Sequence, residues 1–329
     1  MKALFIKGFT YGWSGRKGDY LTDASFESMK KLKQTGAEWI ALAFSVRQET
    51  LKKKEISFRY GETVTDYDIE TALNNARKLN LKICLKPVVN CRDQLWRARI
   101  GFPDEAQQMW AAWFSEYTAF LVHYAEIAER FNCELFCIGC EMVGTEHKAT
   151  EWYQVINAIR SVYKGLLTYN ANHGKELAIT WLDQIDILGT SAYYPVANKP
   201  RTSVNEMISN WQPVKARMKA WHERFAKPIL FMEIGCRSAS GCATMPWDFE
   251  HDDLPFDELE QANFYQSALE VFWDQPWFCG FFWWDWGTDL TNLAQDDRGF
   301  NIHGKQAEQV LKVWYEKKKS AAGERASNG

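Results

Sequence analysis

Short apolar runs alternate with amphipathic helical patterns from one end of this chain to the other, and no other feature limits its fold so tightly. Eight strand candidates can be read, at 3–9, 38–44, 81–89, 134–140, 165–169, 185–191, 229–233 and 278–284. The clearest helix falls at 105–130, where Trp110, Trp113, Phe114, Tyr117, Phe120, Leu121, Tyr124 and Ile127 recur at three- and four-residue steps. Further helices are expected at 26–34, 69–79, 151–163, 204–225, 259–273 and 305–318. Asp66 and Asp68 are candidate N-caps of the helix at 69–79, Asn80 closes the same helix, and Gly36 closes the one at 26–34. Eight alternating units in 329 residues fit a single (β/α)8 TIM barrel over 1–319. No repeat, linker or composition break marks a second domain, and the small polar tail 320–329 is expected to be disordered.

An open doubly wound sheet would share the alternation. The first strand, however, runs into Gly8-Phe-Thr-Tyr-Gly-Trp13, which has neither G-x-G-x-x-G nor the P-loop pattern. Polar and aromatic clusters instead follow strand C-terminal ends along the whole chain, as on the active face of a barrel.

Composition narrows the partners. The net charge of -3 offers no broad basic field, so nucleic acid is not an expected partner. No run of about eighteen apolar residues is present to cross a membrane, and 1–9 is too short an apolar run for a signal peptide. The chain reads as cytoplasmic, although one trimmed of an export signal would look the same. Cysteines at 84, 91, 133, 137, 140, 236, 242 and 279 fall largely inside apolar runs and read as reduced, buried thiols. Cys137 and Cys140 lie three apart in a strand, on opposite faces by simple alternation, so no metal or redox pair is expected there. The six histidines form no H-x-H or H-E-x-x-H, and Gly-x-Ser-x-Gly does not occur. Asp285, Asp289, Asp296 and Asp297 are more simply a solvated loop than a cation site. Neither a metal nor an organic cofactor is expected.

Two glutamates carry the chemistry. Glu141 closes the fourth strand candidate and Glu233 the seventh, each where an apolar strand gives way to a polar loop containing glycine. Alternation would put Cys137, Gly139 and Glu141 on one inward face and Ile229, Phe231 and Glu233 on another. Two acids projecting inward across a barrel mouth suit glycosidic bond cleavage, in which one protonates the leaving oxygen and the other attacks or stabilises the sugar carbon. Either glutamate taken singly is as well explained by a structural ion pair; the pairing at two strand ends favours catalysis.

Around these acids the chain resembles the retaining glycoside hydrolases of clan A, and more closely Glycoside Hydrolase Family 113, the β-1,4-mannanases. The resemblance rests on Lys7-Gly-Phe-Thr-Tyr-Gly-Trp13, Lys86-Pro-Val-Val-Asn90 with Trp96-Arg97, Ile138-Gly-Cys-Glu141, Gly189-Thr-Ser-Ala-Tyr-Tyr-Pro195, Phe231-Met-Glu-Ile-Gly235 and Gly280-Phe-Phe-Trp-Trp-Asp-Trp286. It implies a barrel that hydrolyses β-1,4-mannosidic bonds in mannan or manno-oligosaccharides by double displacement, with Glu141 as general acid/base and Glu233 as nucleophile. Physics adds that the acid needs surroundings that penalise its charge and the nucleophile needs hydrogen-bond donors. Tyr193 or Tyr194 is a candidate donor to Glu233, and parity leaves open which.

The resemblance also makes Trp284 the floor beneath the sugar at the cleavage point. Trp13 and Trp96 are candidate neighbouring platforms, with Lys86, Asn90 and Arg97 donating to hydroxyls. Many clan members carry asparagine immediately before the acid/base, where this chain has Cys140. A thiol cannot hold a sugar hydroxyl as an amide does, and Asn90 is a possible substitute. The chain has 16 tryptophans, more than a barrel core needs for packing, so a handful are assigned to a groove while Trp110, Trp113 and Trp221 read as core. Segments 90–104 and 235–257 are long enough to wall such a groove. Two other functions fit the same residues: a clan A hydrolase of another β-linked glycan such as glucan or galactan, and a sugar-binding barrel without turnover.

Overall fold

The computed structural model describes residues 4–57, 63–251 and 253–317. Eight parallel strands run in chain order: β1 (Ile6–Tyr11), β2 (Trp39–Gln48), β3 (Lys82–Cys91), β4 (Leu135–Cys140), β5 (Leu166–Asn172), β6 (Ile187–Ser191), β7 (Ile229–Ile234) and β8 (Phe278–Trp286). Each pairs with its sequence neighbours, and β1 pairs with both β2 and β8, which closes the sheet into a barrel. The two-residue strand Ile56–Ser57 adds an antiparallel flap to β2. Ala3, where the first strand was expected to begin, and the tail 320–329 lie outside the described residues.

Seven α-helices surround the barrel among the described residues: α1 (Asp23–Gln34), α2 (Asp66–Lys78), α3 (Gln107–Arg130), α4 (Ala149–Val162), α5 (Val204–Phe225), α6 (Glu258–Phe272) and α7 (Gln306–Glu316). Between β5 and β6 two 3-10 turns, Glu176–Ala178 and Leu182–Gln184, replace a helix. Trp181 from this connection stacks on Trp152 of α4 at 4.5 Å, filling the space a helix would occupy. All eight apolar residues of the α3 period are buried.

The interior of the barrel is a small layer made wholly of strand residues, among them Trp39, Cys84, Leu135, Cys137, Leu230, Met232 and Phe282. The larger core lies between strands and helices. This partition corrects the expected alternation. Phe231 packs outward on Phe272 of α6 at 4.7 Å, while its neighbours Leu230 and Met232 point inward. On β4, Cys137 points inward, whereas a side chain at Gly139 would meet Tyr169, Tyr117 and Trp152 of the outer layer. Register breaks between Cys137 and Cys140, and between Phe231 and Ile234, reset the alternation near the mouth. They also put Cys137 and Cys140 on the same side, contrary to simple period-2 geometry. All eight cysteines are free and buried, and Cys236 and Cys242 touch at 3.0 Å between sulfurs. At Gly280, φ is +131° and a Cβ would overlap the Ile6 carbonyl oxygen, so the closing pair β1–β8 requires glycine there.

Helix ends follow their expected residues with one change. Gly36 and Asn80 do adopt left-handed φ of 89° and 53° just beyond α1 and α2. The N-cap of α2, however, is Thr65: its hydroxyl accepts from the Asp68 amide at 3.2 Å while Asp68 accepts from the Thr65 amide at 2.7 Å. Asp68 therefore completes a capping box, and its other oxygen ties in the Gly18 amide at 2.9 Å. Asp66 sits in the first turn and meets His123. Thr65→Ala is expected to cost about 1 kcal/mol, read as a lower urea midpoint with an unchanged slope.

Candidate active site

The carboxyl ends of the strands converge on a buried polar cluster. Parity along β3 puts Cys84, Lys86 and Asn90 on the inward face, and Lys86 reaches up from the apolar layer fully buried. Its ammonium donates to Glu233 Oε1. The same oxygen accepts from Asn170 Nδ2 at 2.9 Å and from Cys140 Sγ at 3.3 Å, and Oε2 accepts from the Tyr193 hydroxyl at 3.1 Å. Burial pushes the Glu233 carboxyl up, but Lys86 and Arg97, with hydrogen bonds from Lys86 and Cys140, hold it below its ordinary value.

Glu141 follows β4 in a left-handed conformation, φ 55°, a costly state for a residue with a side chain. Its amide donates to the Asn170 carbonyl at 2.8 Å, and the next amide, Met142, donates to the Tyr169 hydroxyl at 2.9 Å. Tyr169 in turn donates to buried Glu146 at 2.6 Å. Burial raises Glu146 to about 7, opposed by that Tyr169 bond and assisted by the charge of Glu141. The Glu141 carboxylate accepts from Arg97 at 2.8 Å, Asn172 at 3.1 Å and the Trp96 indole at 3.4 Å. Surroundings short of charge partners, expected for an acid, are thus not what Glu141 has.

Arg97 is the hinge between the two acids. Its Nε donates to the Cys140 carbonyl at 2.8 Å, one terminal nitrogen to Asn90 Oδ1 at 3.1 Å, and the other to both Cys140 Sγ at 3.1 Å and Glu141. Lys86 and Arg97, expected as donors to sugar hydroxyls, are therefore engaged with the carboxylates, and Asn90 accepts from Arg97. Cys140 takes the place of an amide by bridging Arg97, Asn170 and Glu233. Of the two tyrosines only Tyr193 reaches Glu233; Tyr194 donates to the buried Glu176, which Arg217 also holds at 3.0 Å.

Trp284 and Trp13 meet with ring centroids 5.2 Å apart, both half-buried, and Lys86 Nζ lies 5.9 Å from the Trp284 ring. Trp96 is 46% exposed at the rim. All ten expected residues fall in or beside this cluster except Tyr194, one layer out. Sequence reasoning missed Asn170 and Asn172. The run Asn170-Ala-Asn172 at the end of β5 places two amides on one face, but the fifth strand was read as ending at Tyr169. Near the end of β8, burial raises Asp285 to about 7, with the charges of Asp297 and Glu233 adding to it, and Asp297 pairs with buried Lys305 at 3.3 Å. Among the described residues no group of three His, Cys, Asp or Glu side chains is placed to hold a metal, and no helix is long and apolar enough to cross a membrane.

A pair of carboxylates at one mouth is what cleavage of a glycosidic bond requires. Comparison with known proteins agrees: the profile of Glycoside Hydrolase Family 113 matches residues 9–305. A family 113 β-1,4-mannanase solved as a complex is 34% identical over 96% of this chain and 100% of its own, with a TM-score of 0.89. AaManA, the family 113 β-mannanase of Alicyclobacillus acidocaldarius solved with ManMIm, is 37% identical over 95% of this chain and 98% of its own, with a TM-score of 0.88. The β-glucuronidase of Ruminococcus gnavus, 14% identical with a TM-score of 0.63, covers 95% of this chain and 50% of its own, and shares the fold alone. No curated protein sequence matches the chain. The chain belongs to Glycoside Hydrolase Family 113.

The Lys86–Glu233 pair makes a stability prediction. Removing the cation strands a buried carboxylate, so Lys86→Met is expected to cost about 3–5 kcal/mol at neutral pH. Glu233 is held below its unfolded value, so its contribution is present above the ordinary carboxylate range and is lost as pH falls through the lowered value. The gap between wild type and variant in denaturant titrations narrows across that acid window; a gap constant with pH would contradict this account.

Proposed function

We propose that this chain is a retaining β-1,4-mannanase in which Glu233 is the nucleophile and Glu141 the general acid/base. The observation that carries the assignment is the asymmetry of the two acids. Glu233 is buried under Lys86, Asn170, Cys140 and Tyr193, four donors that keep an attacking carboxylate ionised. Glu141, buried to a similar depth, accepts from three donors, Arg97, Asn172 and the indole of Trp96, and the Trp96 ring is 46% exposed, so a leaving oxygen entering past that ring can reach the acid. Substrate identity follows from the likeness to family 113 mannanases at 34% and 37% identity over nearly the whole chain.

In the first step the Glu233 carboxylate bonds to the anomeric carbon as the glycosidic bond breaks, and Glu141 gives its proton to the departing oxygen. In the second, Glu141 takes a proton from water, whose oxygen bonds to the same carbon and releases Glu233. Trp284, flanked by Trp13, lies under the reacting sugar, and Arg97 and Asn172 orient Glu141. The scheme needs neither metal nor organic cofactor. Eight free, buried cysteines are in keeping with a reducing, cytoplasmic setting, which cell fractionation would test.

Glu233→Ala should abolish turnover, and added azide should restore it with α-mannosyl azide as product. Glu141→Ala should lower kcat/KM on manno-oligosaccharides by about 10²- to 10⁴-fold, spare substrates with good leaving groups, and yield the β-azide. The same azide anomer from both variants would overturn the assigned roles. Activity across a panel of mannan, glucan and galactan decides the substrate.

Tyr193→Phe removes one donor to the nucleophile, an interaction worth roughly 1.5–3 kcal/mol for a charged acceptor. It should lower kcat/KM about tenfold or more. Because the lost donor favoured the ionised form, the acid limb of the kcat/KM profile should move to higher pH. A limb that stays put would count against Glu233 as the ionised group.

A further inference from the structure

Of the 16 tryptophans, only Trp96 and Trp247 are exposed, at 46% and 42%. Trp96 touches Glu141. Trp247 lies in the long loop after β7 and reaches the same neighbourhood through His173. The imidazole of His173 stacks on the Trp247 indole with centroids 5.4 Å apart and planes 23° off parallel. Asn172, the residue before His173, donates to Glu141 Oε1 at 3.1 Å. We infer that Trp247, braced from behind by His173, is a stacking platform for a mannosyl unit on the leaving-group side of the cleavage point, with Trp96 as the second aromatic wall of that side. This rests on the mannanase reading and extends it.

The argument is one of position, then of rigidity, then of chemistry. An acid that protonates the leaving oxygen must have the departing sugar beside it, so that sugar lies over the loops after β3, β4 and β5, where Trp96, Glu141, Asn172 and His173 sit. The braced ring is held in place from several directions. His173 meets the Tyr194 ring at 5.7 Å, nearly edge-on, and Tyr194 is fixed through Glu176 and Arg217. The Trp247 loop is pinned to the segment after β6 where the Val196 and Ala197 amides donate to the Ala243 carbonyl at 3.0 and 3.1 Å. The next residue, Asp248, is tied to His251 at 2.8 Å. A flat apolar face fixed before binding and left open to water gains on contact with the C–H face of a pyranose while giving up little conformational freedom. The neighbouring Met245 and Phe249 are exposed as well.

The full chain carrying Trp247→Ala tests this against two substrates. Mannohexaose spans both sides of the cleavage point; β-mannobiosyl fluoride, whose leaving atom is fluoride, occupies no sugar subsite beyond it. The ratio of kcat/KM for mannohexaose to that for the fluoride should fall about tenfold, as for loss of one aromatic stacking contact. Transfer of the mannosyl-enzyme to added mannobiose, relative to water, should fall by a similar factor, and Trp247→Phe should recover part of both. An unchanged ratio overturns the platform, whether both rates stay the same or fall together through damage to the loop. Wild-type protein that cleaves no β-mannoside sinks the mannanase reading instead, a result seen before any variant is made.

Discussion

The buried contact between Lys86 and Glu233 is the constraint on which the rest of the mouth depends. A lysine with no exposed surface and a carboxylate almost as deep lose several kcal/mol each on leaving water, and proximity alone does not offset this. The remaining lone pairs of Glu233 must be satisfied, which accounts for Asn170, Cys140 and Tyr193 converging from β5, β4 and the segment after β6. Four strand ends are thereby committed to one carboxylate. Arg97 extends the commitment to a second, since the guanidinium that touches Cys140 also holds Glu141 and Asn90. The two acids are parts of one charged network and not independent side chains in a shared cavity.

Regular alternation would not have built that network. A strictly period-2 β7 with Leu230 and Met232 inward would turn Glu233 toward the helices, where Phe231 and Ile234 lie. The register break before Ile234 brings it inward instead. On β4 the break between Cys137 and Cys140, followed by the left-handed turn at Glu141, does the same for the second acid. Such a turn persists only if its surroundings over-determine it. Here the amides of Glu141 and Met142 are taken by the Asn170 carbonyl and the Tyr169 hydroxyl, and Tyr169 is anchored by Glu146. The irregular backbone lies at the two positions where a carboxylate is turned into the mouth, and the lower barrel keeps its apolar layer intact.

This explains what was and was not legible in the sequence. Strand and helix positions were readable because burial imposes a period on long segments, as the whole α3 stripe from Trp110 to Ile127 shows. The acids were readable because each ends an apolar run. Their inward orientation was reached by an alternation argument that fails locally at Gly139 and Phe231, since a bulge leaves no mark in residue type. Lys86 was identified, but not its carboxylate partner: parity placed it inward, while nothing in a one-dimensional pattern shows that a strand-seven carboxylate lies within reach. Asn172 was lost to a strand end drawn three residues early, the scale on which such boundaries ordinarily err. Tyr193 and Tyr194 are adjacent and alike in sequence; only the buried Glu176, supplied by an irregular connection, separates their roles.

The aromatic excess resolves along the same lines. Trp152 and Trp181 stack where one helix of the ideal barrel is missing, Trp113 bonds Gln48 across to β2, and Trp283 stacks outward on Tyr265 at 4.0 Å. These fully buried rings stiffen the shell around the strands whose ends carry the site. Trp284 and Trp13 are half-buried at the mouth, and Trp96 and Trp247 are open. Exposure thus rises from shell to mouth to rim while the residue type stays constant, so count and composition could not place them. What separates a packing tryptophan from one open at the mouth is whether its second face is covered. Adjacent Trp283 and Trp284 differ in this respect because successive residues of a strand point to opposite faces.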